Sequence, residues 1–424
     1  MNRRNFIQKA VVTAAGVSGI APLLGEVRAP QSIVPMPQAD EQFWKELRKQ
    51  FPMPEDEVYF NTATLGAPPR VVLEKMVQHM RMLAESMARA DYHGNGPLLL
   101  SGYEPYVELR KKIGLLINAD YKEIALTQNA TFGMNYVATG MELKAGDELI
   151  NTNQEHGGGK GAWEQAAARY GLVYKQATVP VPANDPQEIV DNIFALVTAR
   201  TRVIAVPHII SAYGVVLPVK EICHRARELG VFTILDGAQA VGHIPVDVQE
   251  IGCDAYYSSL HKWLLAPAGN GILYVRKDVI SNLWTAIASY EWKNQEDPGY
   301  RLTQRGTGNP SLIVGLEAAV DFHNEIGPRK VTDRIKYLGD YLRARVQQID
   351  GVKIFSSVHP AMCAGITTYG IDGVSAIELQ RQMWVRKKLQ PRPMGDKMLR
   401  HSVHIYNQEH EIDAALEIVR DMAR

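Results

Sequence analysis

The feature that most constrains this chain is an alternation, from about residue 108 to residue 327, of short apolar strand-like runs with longer helical patterns. Parallel strands cannot be joined by a hairpin, so each strand must be followed by a crossover, usually a helix. The runs 123–127, 148–152, 202–206 and 231–235 each stop at a polar or glycine-bearing loop, and a further run, 254–258, stops just before Ser259-Leu260-His261-Lys262. The expectation is an α/β fold: a large domain with a mainly parallel sheet flanked by helices. In such a sheet the carboxyl ends of the strands share one edge, where ligands bind. The loops 128–131, 153–159, 207–214 and 236–240 are therefore expected to converge with Lys262 on one crevice.

With 424 residues, 46% of them apolar, the chain is long enough for more than one core. A second region is expected from Pro328 onward: a helix 330–348, strands 352–355 and 366–369, a helix 375–383, a strand near 399–403 and a final helix 409–422, forming a small α+β C-terminal domain. The segment 58–327 is read as the large domain and 30–57, with its prolines, as a linker carrying a short amphipathic helix near 41–50. Val58 to Ala63 is expected to be a strand leading through Gly66 and Pro68-Pro69 into a helix over 70–89, with Asn61 and Thr62 at the turn.

Residues 1–29 stand apart. Arg3-Arg4-Asn5-Phe6, the nearby Lys9, a weakly apolar run from Ala10 to Leu24 and Val27-Arg28-Ala29 resemble a twin-arginine export signal. The resemblance implies passage through the twin-arginine export machinery, a periplasmic location and no membrane anchor. Its removal would take away four basic side chains and one acidic one, leaving a slightly acidic chain. The whole sequence holds 46 Lys+Arg and 46 Asp+Glu, which gives no basis for a nucleic-acid partner. Its three cysteines, Cys223, Cys253 and Cys363, are too scattered for a metal or disulfide framework, and no metal is expected.

The groups expected at the sheet edge suit one kind of chemistry. A lysine amine forms a Schiff base with an aldehyde, and a carboxylate keeps a pyridine nitrogen protonated. Lys262 and Asp236 make that pair. His156 is the ring that can stack on a pyridine face. Ala130-Thr131, opening a helix, together with Ser259 and His261, offer amides and hydroxyls to a phosphate. These are the parts of a pyridoxal 5'-phosphate site.

The ordered set Gln-Asn-Ala-Thr at 128–131, Glu-His at 155–156, Asp-Gly-Ala-Gln at 236–239, Ser-x-His-Lys at 259–262, Gly-Thr-Gly-Asn-Pro at 306–310 and Arg-x-Ser at 400–402 resembles the class V aminotransferases of pyridoxal-phosphate fold type I. That group, with its aspartate-aminotransferase-like fold, includes isopenicillin N epimerase-like enzymes and cysteine desulfurases. The resemblance spans about Val58 to the C-terminus. It implies that Lys262 is the Schiff-base lysine, Asp236 the pyridinium partner and His156 the stacking ring, with Gln239 and Ser211 near the ring hydroxyl. Thr131, Ser259 and His261 would hold the phosphate with the Ala130 end of the helix. Thr307 would reach the phosphate of a neighbouring subunit, so a homodimer with shared active sites is implied.

Arg400 is the candidate for gripping a substrate carboxylate, because its planar fork of donors matches one bidentately; Asn61 is a second candidate for substrate contact. A carboxylate held near the cofactor plane leaves the Cα–H bond facing Lys262 as general base. The expected activity is that of a pyridoxal-phosphate-dependent, aminotransferase-like enzyme on a free or peptide-borne amino acid. An isopenicillin N epimerase-like reaction is the alternative, and a β- or γ-lyase a further one. A desulfurase is disfavoured because residues 385–399 contain no cysteine, and a non-catalytic binding protein has no use for lysine, acid and arginine together.

Overall fold

The computed structural model of the protein describes residues 38–91, 98–99 and 104–424. The segment 1–29, expected from its sequence to be an export signal, lies outside them. The large sheet has seven strands: β1 (Ile124–Thr127), β2 (Glu148–Thr152), β3 (Val173–Ala177), β4 (Thr201–Pro207), β5 (Phe232–Asp236), β6 (Ala255–Ser259) and β7 (Gly271–Val275). They lie side by side in the order β1-β7-β6-β5-β4-β2-β3. Pairing is parallel from β6 through β5, β4 and β2 to β3, whereas β7 runs antiparallel to both β6 and β1.

Two separate cores show why the strands are almost wholly apolar. In β4, Ile204 and Val206 enter one core while Val203 and Ala205 enter the other, as a side-chain period of two requires. Helices α1 (Ala130–Gly140) and α2 (Gly157–Tyr170) cover one face through Met134, Val137 and Trp163. The helices Pro186–Phe194 and Val219–Glu228, with α3 (Pro310–Ile326), cover the other. A sheet buried on both faces reads as continuous Ile, Val and Ala rather than as alternation. Each such Ile or Val side chain fully withdrawn from water contributes roughly 1.5–3 kcal/mol.

The antiparallel β7 and the strand β3 are not among the expected strands. Gly271 explains how β7 fits: a Cβ there would lie 2.6 Å from both Asn129 Cα and Ser258 O. Only a glycine lets this strand start hard against the loop that opens α1. Helix α2 begins inside the stretch 153–159 expected to be a loop, at Gly157. The His156 side chain caps it by accepting the Gly158 amide at 3.1 Å, which offsets the poor helix propensity of three glycines.

The C-terminal part forms a four-stranded sheet in the order β8-β9-β11-β10, with β8 (Val352–Ile354), β9 (Ile366–Ile371), β10 (Arg392–Pro393) and β11 (Leu399–Ser402), all antiparallel. Helices α4 (Pro328–Val346), α5 (Ala376–Lys387) and α6 (Glu409–Met422) share its core. The short strand Val58–Tyr59 pairs in parallel with Leu389–Gln390, and Phe60 is buried in this C-terminal core. The chain before the helix Arg70–Glu85 thus ties the two sheets together. Among the described residues no helix is long and apolar enough to cross a membrane.

Candidate active site

The carboxyl edge of the large sheet and the N-termini of α1 and α2 enclose a cavity of about 210 Å³. Ala130, Thr131, His156, Ser211, Asp236, Gln239, Ser259, His261 and Lys262 all line it. Residues spread over 133 positions of sequence meet there because they end, or follow, five strands of the one sheet, β1, β2, β4, β5 and β6.

Lys262 follows β6 on a tight turn whose backbone is clamped from the N-terminal side. The Gly66 amide donates to His261 O at 2.8 Å, and a Cβ on Gly66 would lie 2.0 Å from Lys262 O. Burial lowers the Lys262 ammonium to about 8; Asp236 opposes that shift, while Arg400 and Arg392 add to it. Asp236, the last residue of β5, is buried, and desolvation raises its pKa against the pull of the Ala238 amide and Lys262. Its Oδ1 accepts that amide at 2.8 Å. Oδ2 faces Gly159, where a Cβ would approach it to 3.0 Å. A glycine in the first turn of α2 therefore gives access to the free carboxylate oxygen. The exposed His156 ring carries its proton on Nε2, since Nδ1 accepts the Gly158 amide.

The opposite end of the cavity suits an anion. Asn129 caps α1, accepting the Phe132 amide at 3.2 Å, so the first turn presents its amides outward. Ser259 Oγ accepts the Ala130 amide at 3.0 Å and keeps its own proton to donate. Thr131 is exposed to the cavity, and the buried His261 Nδ1 has no partner. A helix N-terminus, two hydroxyls and an orphaned imidazole nitrogen fit a phosphate; Asp236 at the far end fits a pyridinium, and Lys262 an aldehyde. The donor set matches pyridoxal phosphate at every position.

Gln239 is more committed than expected. Its Nε2 donates to Ala63 O at 2.9 Å and to Ser211 Oγ at 3.3 Å, and its Oε1 accepts the indole of Trp263 at 2.7 Å. An indole only donates, so Trp263 fixes which way the amide points. Three of the candidate residues do not line the cavity. Thr307 is exposed, on the loop that opens α3. Asn61 and Arg400 form a rim instead. Arg400, on β11, is 1% exposed; its Nη1 donates to Ser211 O at 2.8 Å, and its Nη2 to Asn61 Oδ1 at 3.2 Å and Thr64 Oγ1 at 3.0 Å. Burial depresses this guanidinium to about 10. Thr62, beside Asn61 at the same turn, is fully buried and hydrogen-bonded to Tyr406 Oη, a structural contact.

Two rim residues escaped the sequence reading. Thr64 stands three residues beyond Asn61 and bonds its side chain at 2.7 Å. Arg392, from the edge strand β10, reaches Thr64 Oγ1 at 2.7 Å. A Thr three residues after a turn Asn is the one signal that pointed to the first; nothing in Pro-Arg-Pro marks the second.

The model of the family described as Aminotransferase class-V matches residues 58–415. The chain belongs to this family. Class V aminotransferase relatives include isopenicillin N epimerase of Streptomyces clavuligerus, 30% identical over 87% of this chain and 96% of that one, and of Amycolatopsis lactamdurans, 29% identical over 90% and 99%. A probable cysteine desulfurase of Methanothermobacter thermautotrophicus is 28% identical over 89% of this chain and 98% of its own. Among solved structures, a C-DES mutant with glycine covalently linked to its PLP cofactor superposes with a TM-score of 0.76 at 25% identity, covering 88% of this chain and 99% of that one. As a member of this family, the chain is a pyridoxal-phosphate-dependent enzyme acting on amino acids.

Proposed function

We propose that the enzyme removes the Cα proton of an amino acid through Lys262 and acts as an aminotransferase. The observation that carries this reading is the buried amine at the sheet edge: Lys262 is the lysine among the residues lining the cavity, whose other titratable side chains are Asp236, His156, His261 and Tyr257. Bound pyridoxal phosphate supplies an aldehyde for amines and a ring that withdraws electrons from the bonds at Cα. In this proposal Asp236 Oδ2 holds the ring nitrogen protonated, His156 covers the ring, and the α1 amides, Thr131, Ser259 and His261 hold the phosphate. Arg400 grips the α-carboxylate, being a buried cation that meets only neutral acceptors. Lys262 Nζ, lowered to about 8, is neutral often enough near neutral pH to accept a proton. Because it takes and returns protons on one face, it favours transamination over inversion at Cα.

The second reading is an isopenicillin N epimerase-like reaction, supported by the two relatives of that name. It requires an acid on the face covered by His156, and His156 itself, protonated on Nε2, is the candidate. A desulfurase reading draws support from relatives of that name, but Cys223, Cys253 and Cys363 are all buried and none lines the cavity. Incubating the holoenzyme with single amino acids in deuterium oxide separates these outcomes. One equivalent of keto acid per active site is expected; deuterium at Cα with loss of optical rotation and no keto acid would replace the transaminase with the epimerase.

We further propose that Thr307 completes the phosphate site of a second copy, as its exposed position on the α3 loop allows, and that residues 1–29 export the folded, cofactor-loaded protein to the periplasm. Three buried unpaired thiols suit folding before export. Sedimentation of a monomer, or a fusion of residues 1–35 to a reporter that stays cytoplasmic, would remove these two proposals respectively.

A further inference from the structure

We propose that Arg392 and Arg400 form a single dicarboxylate subsite, so that the substrate is an amino acid carrying a second carboxylate, its α-carboxylate on Arg400 and its distal one on Arg392. The proposal rests on the reading of Arg400 as the α-carboxylate clamp and extends it to the side chain.

Strands β10 and β11 run antiparallel with Arg392 directly opposite Arg400. Directly opposed residues project from the same face, and like charges in that position destabilise a sheet. The two guanidinium groups also share one acceptor: Thr64 Oγ1 receives Nη1 of Arg392 at 2.7 Å and Nη2 of Arg400 at 3.0 Å, while donating to Asn61. Among the described residues, neither arginine has a carboxylate within ion-pair distance.

The other two fully buried arginines among the described residues are each paired with an acid. Arg110 and Arg334, like Arg400, are fully buried, yet Arg110 meets Asp297 at 2.5 Å and Arg334 meets Glu409 at 2.6 Å. A buried guanidinium without an acid is costly unless an anion joins it. Arg400 keeps its Nε unpartnered, and a second cation stands beside it. One carboxylate answers one of these charges. Two carboxylates on one molecule answer both, and Arg392, exposed at the sheet edge, is the one that meets a side chain extending away from Cα.

Both arginines act electrostatically on Lys262 and on His156, so the pair stands near the reacting centre. A dicarboxylic amino acid would thus lie between the cavity and β10, amine toward Lys262.

The test is equilibrium binding of unreactive anions to the holoenzyme by calorimetry, comparing glutarate with pentanoate, neither of which has an amine. Glutarate should bind at least about 10-fold more tightly, the increment of one charge-assisted contact. Arg392→Gln should bring the two affinities within about 2-fold of each other, and Arg392→Lys should restore part of the preference. Equal affinities in the unaltered enzyme, or a preference that survives Arg392→Gln, would overturn the subsite. The clamp is read separately: Arg400→Gln should abolish pentanoate binding, and pentanoate binding that persists there removes the clamp reading while the glutarate preference still reports on Arg392. Melting curves of the variants check that each remains folded.

Discussion

The floor and the rim of the active site solve opposite electrostatic problems. On the floor, Asp236 and Lys262 oppose each other's charge, Asp236 is anchored by the Ala238 amide, and the anion end is built from dipoles and hydroxyls. At the rim, Arg392 and Arg400 stand together with threonine, asparagine and serine as acceptors and no acid. A floor whose charges nearly balance is preassembled for a group that stays. A rim with unanswered positive charge is stable only in part until an anion arrives. The difference teaches where to look for specificity: in the small antiparallel sheet and the 61–64 turn, not in the sheet edge proposed to hold the cofactor.

Each half of this contrast can be broken separately. The largest effect is expected for Lys262→Ala, which should lower turnover by at least about 10³-fold and abolish the visible absorbance of the bound cofactor; retained turnover would remove Lys262 from the floor's chemistry. Asp236→Asn, nearly isosteric, should reduce kcat by on the order of 100-fold with little change in KM, because it removes electrostatic support without removing a substrate contact.

At the rim, Arg400→Gln should raise KM by roughly 30- to 1,000-fold, the cost of an unpaired carboxylate. An unchanged KM would leave the contrast without its second half.

The two halves meet in a pH profile. A lysine acting as base must be neutral, so kcat should climb as pH rises through about 8. Arg392 and Arg400 both depress Lys262, so neutralising Arg392 should move that climb to higher pH; a profile that does not move would show that rim and floor are electrically independent.

The smallest effect concerns Glu155, beneath the floor. Burial pushes its carboxyl up to about 8, although Thr152 donates to it twice. A folded carboxyl raised above its unfolded value binds an extra proton between about pH 4.5 and 8, so its contribution to stability is lost as pH rises through that window. Glu155→Gln should flatten the decline of Tm between pH 6 and 9.

The residues that line the cavity were legible because they occupy stereotyped places, the ends of apolar strands, and because several such places follow one another in a fixed order. Lys262 alone is a weak signal; Lys262 after β6, with Asp236 ending β5 and Thr131 opening α1, is a strong one. Helix α2 was read late because glycines argue against a helix, and only the His156 cap and the approach of Gly159 to Asp236 supply the compensation. The antiparallel β7 was missed since a fully buried strand has the same apolar pattern in either direction.

The sequence by itself determined the α/β architecture, the convergence of the strand-end loops and the chemistry of the cofactor, all of which follow from local periodicity and residue type. Only the tertiary structure decided how the substrate side is built. Thr64, Ser211, Arg392 and Arg400 come from four separate segments, and their meaning lies in what surrounds them. Whether an arginine is paired, and whether two of them face each other across a strand pair, depends on long-range packing and is not written in any short stretch of chain.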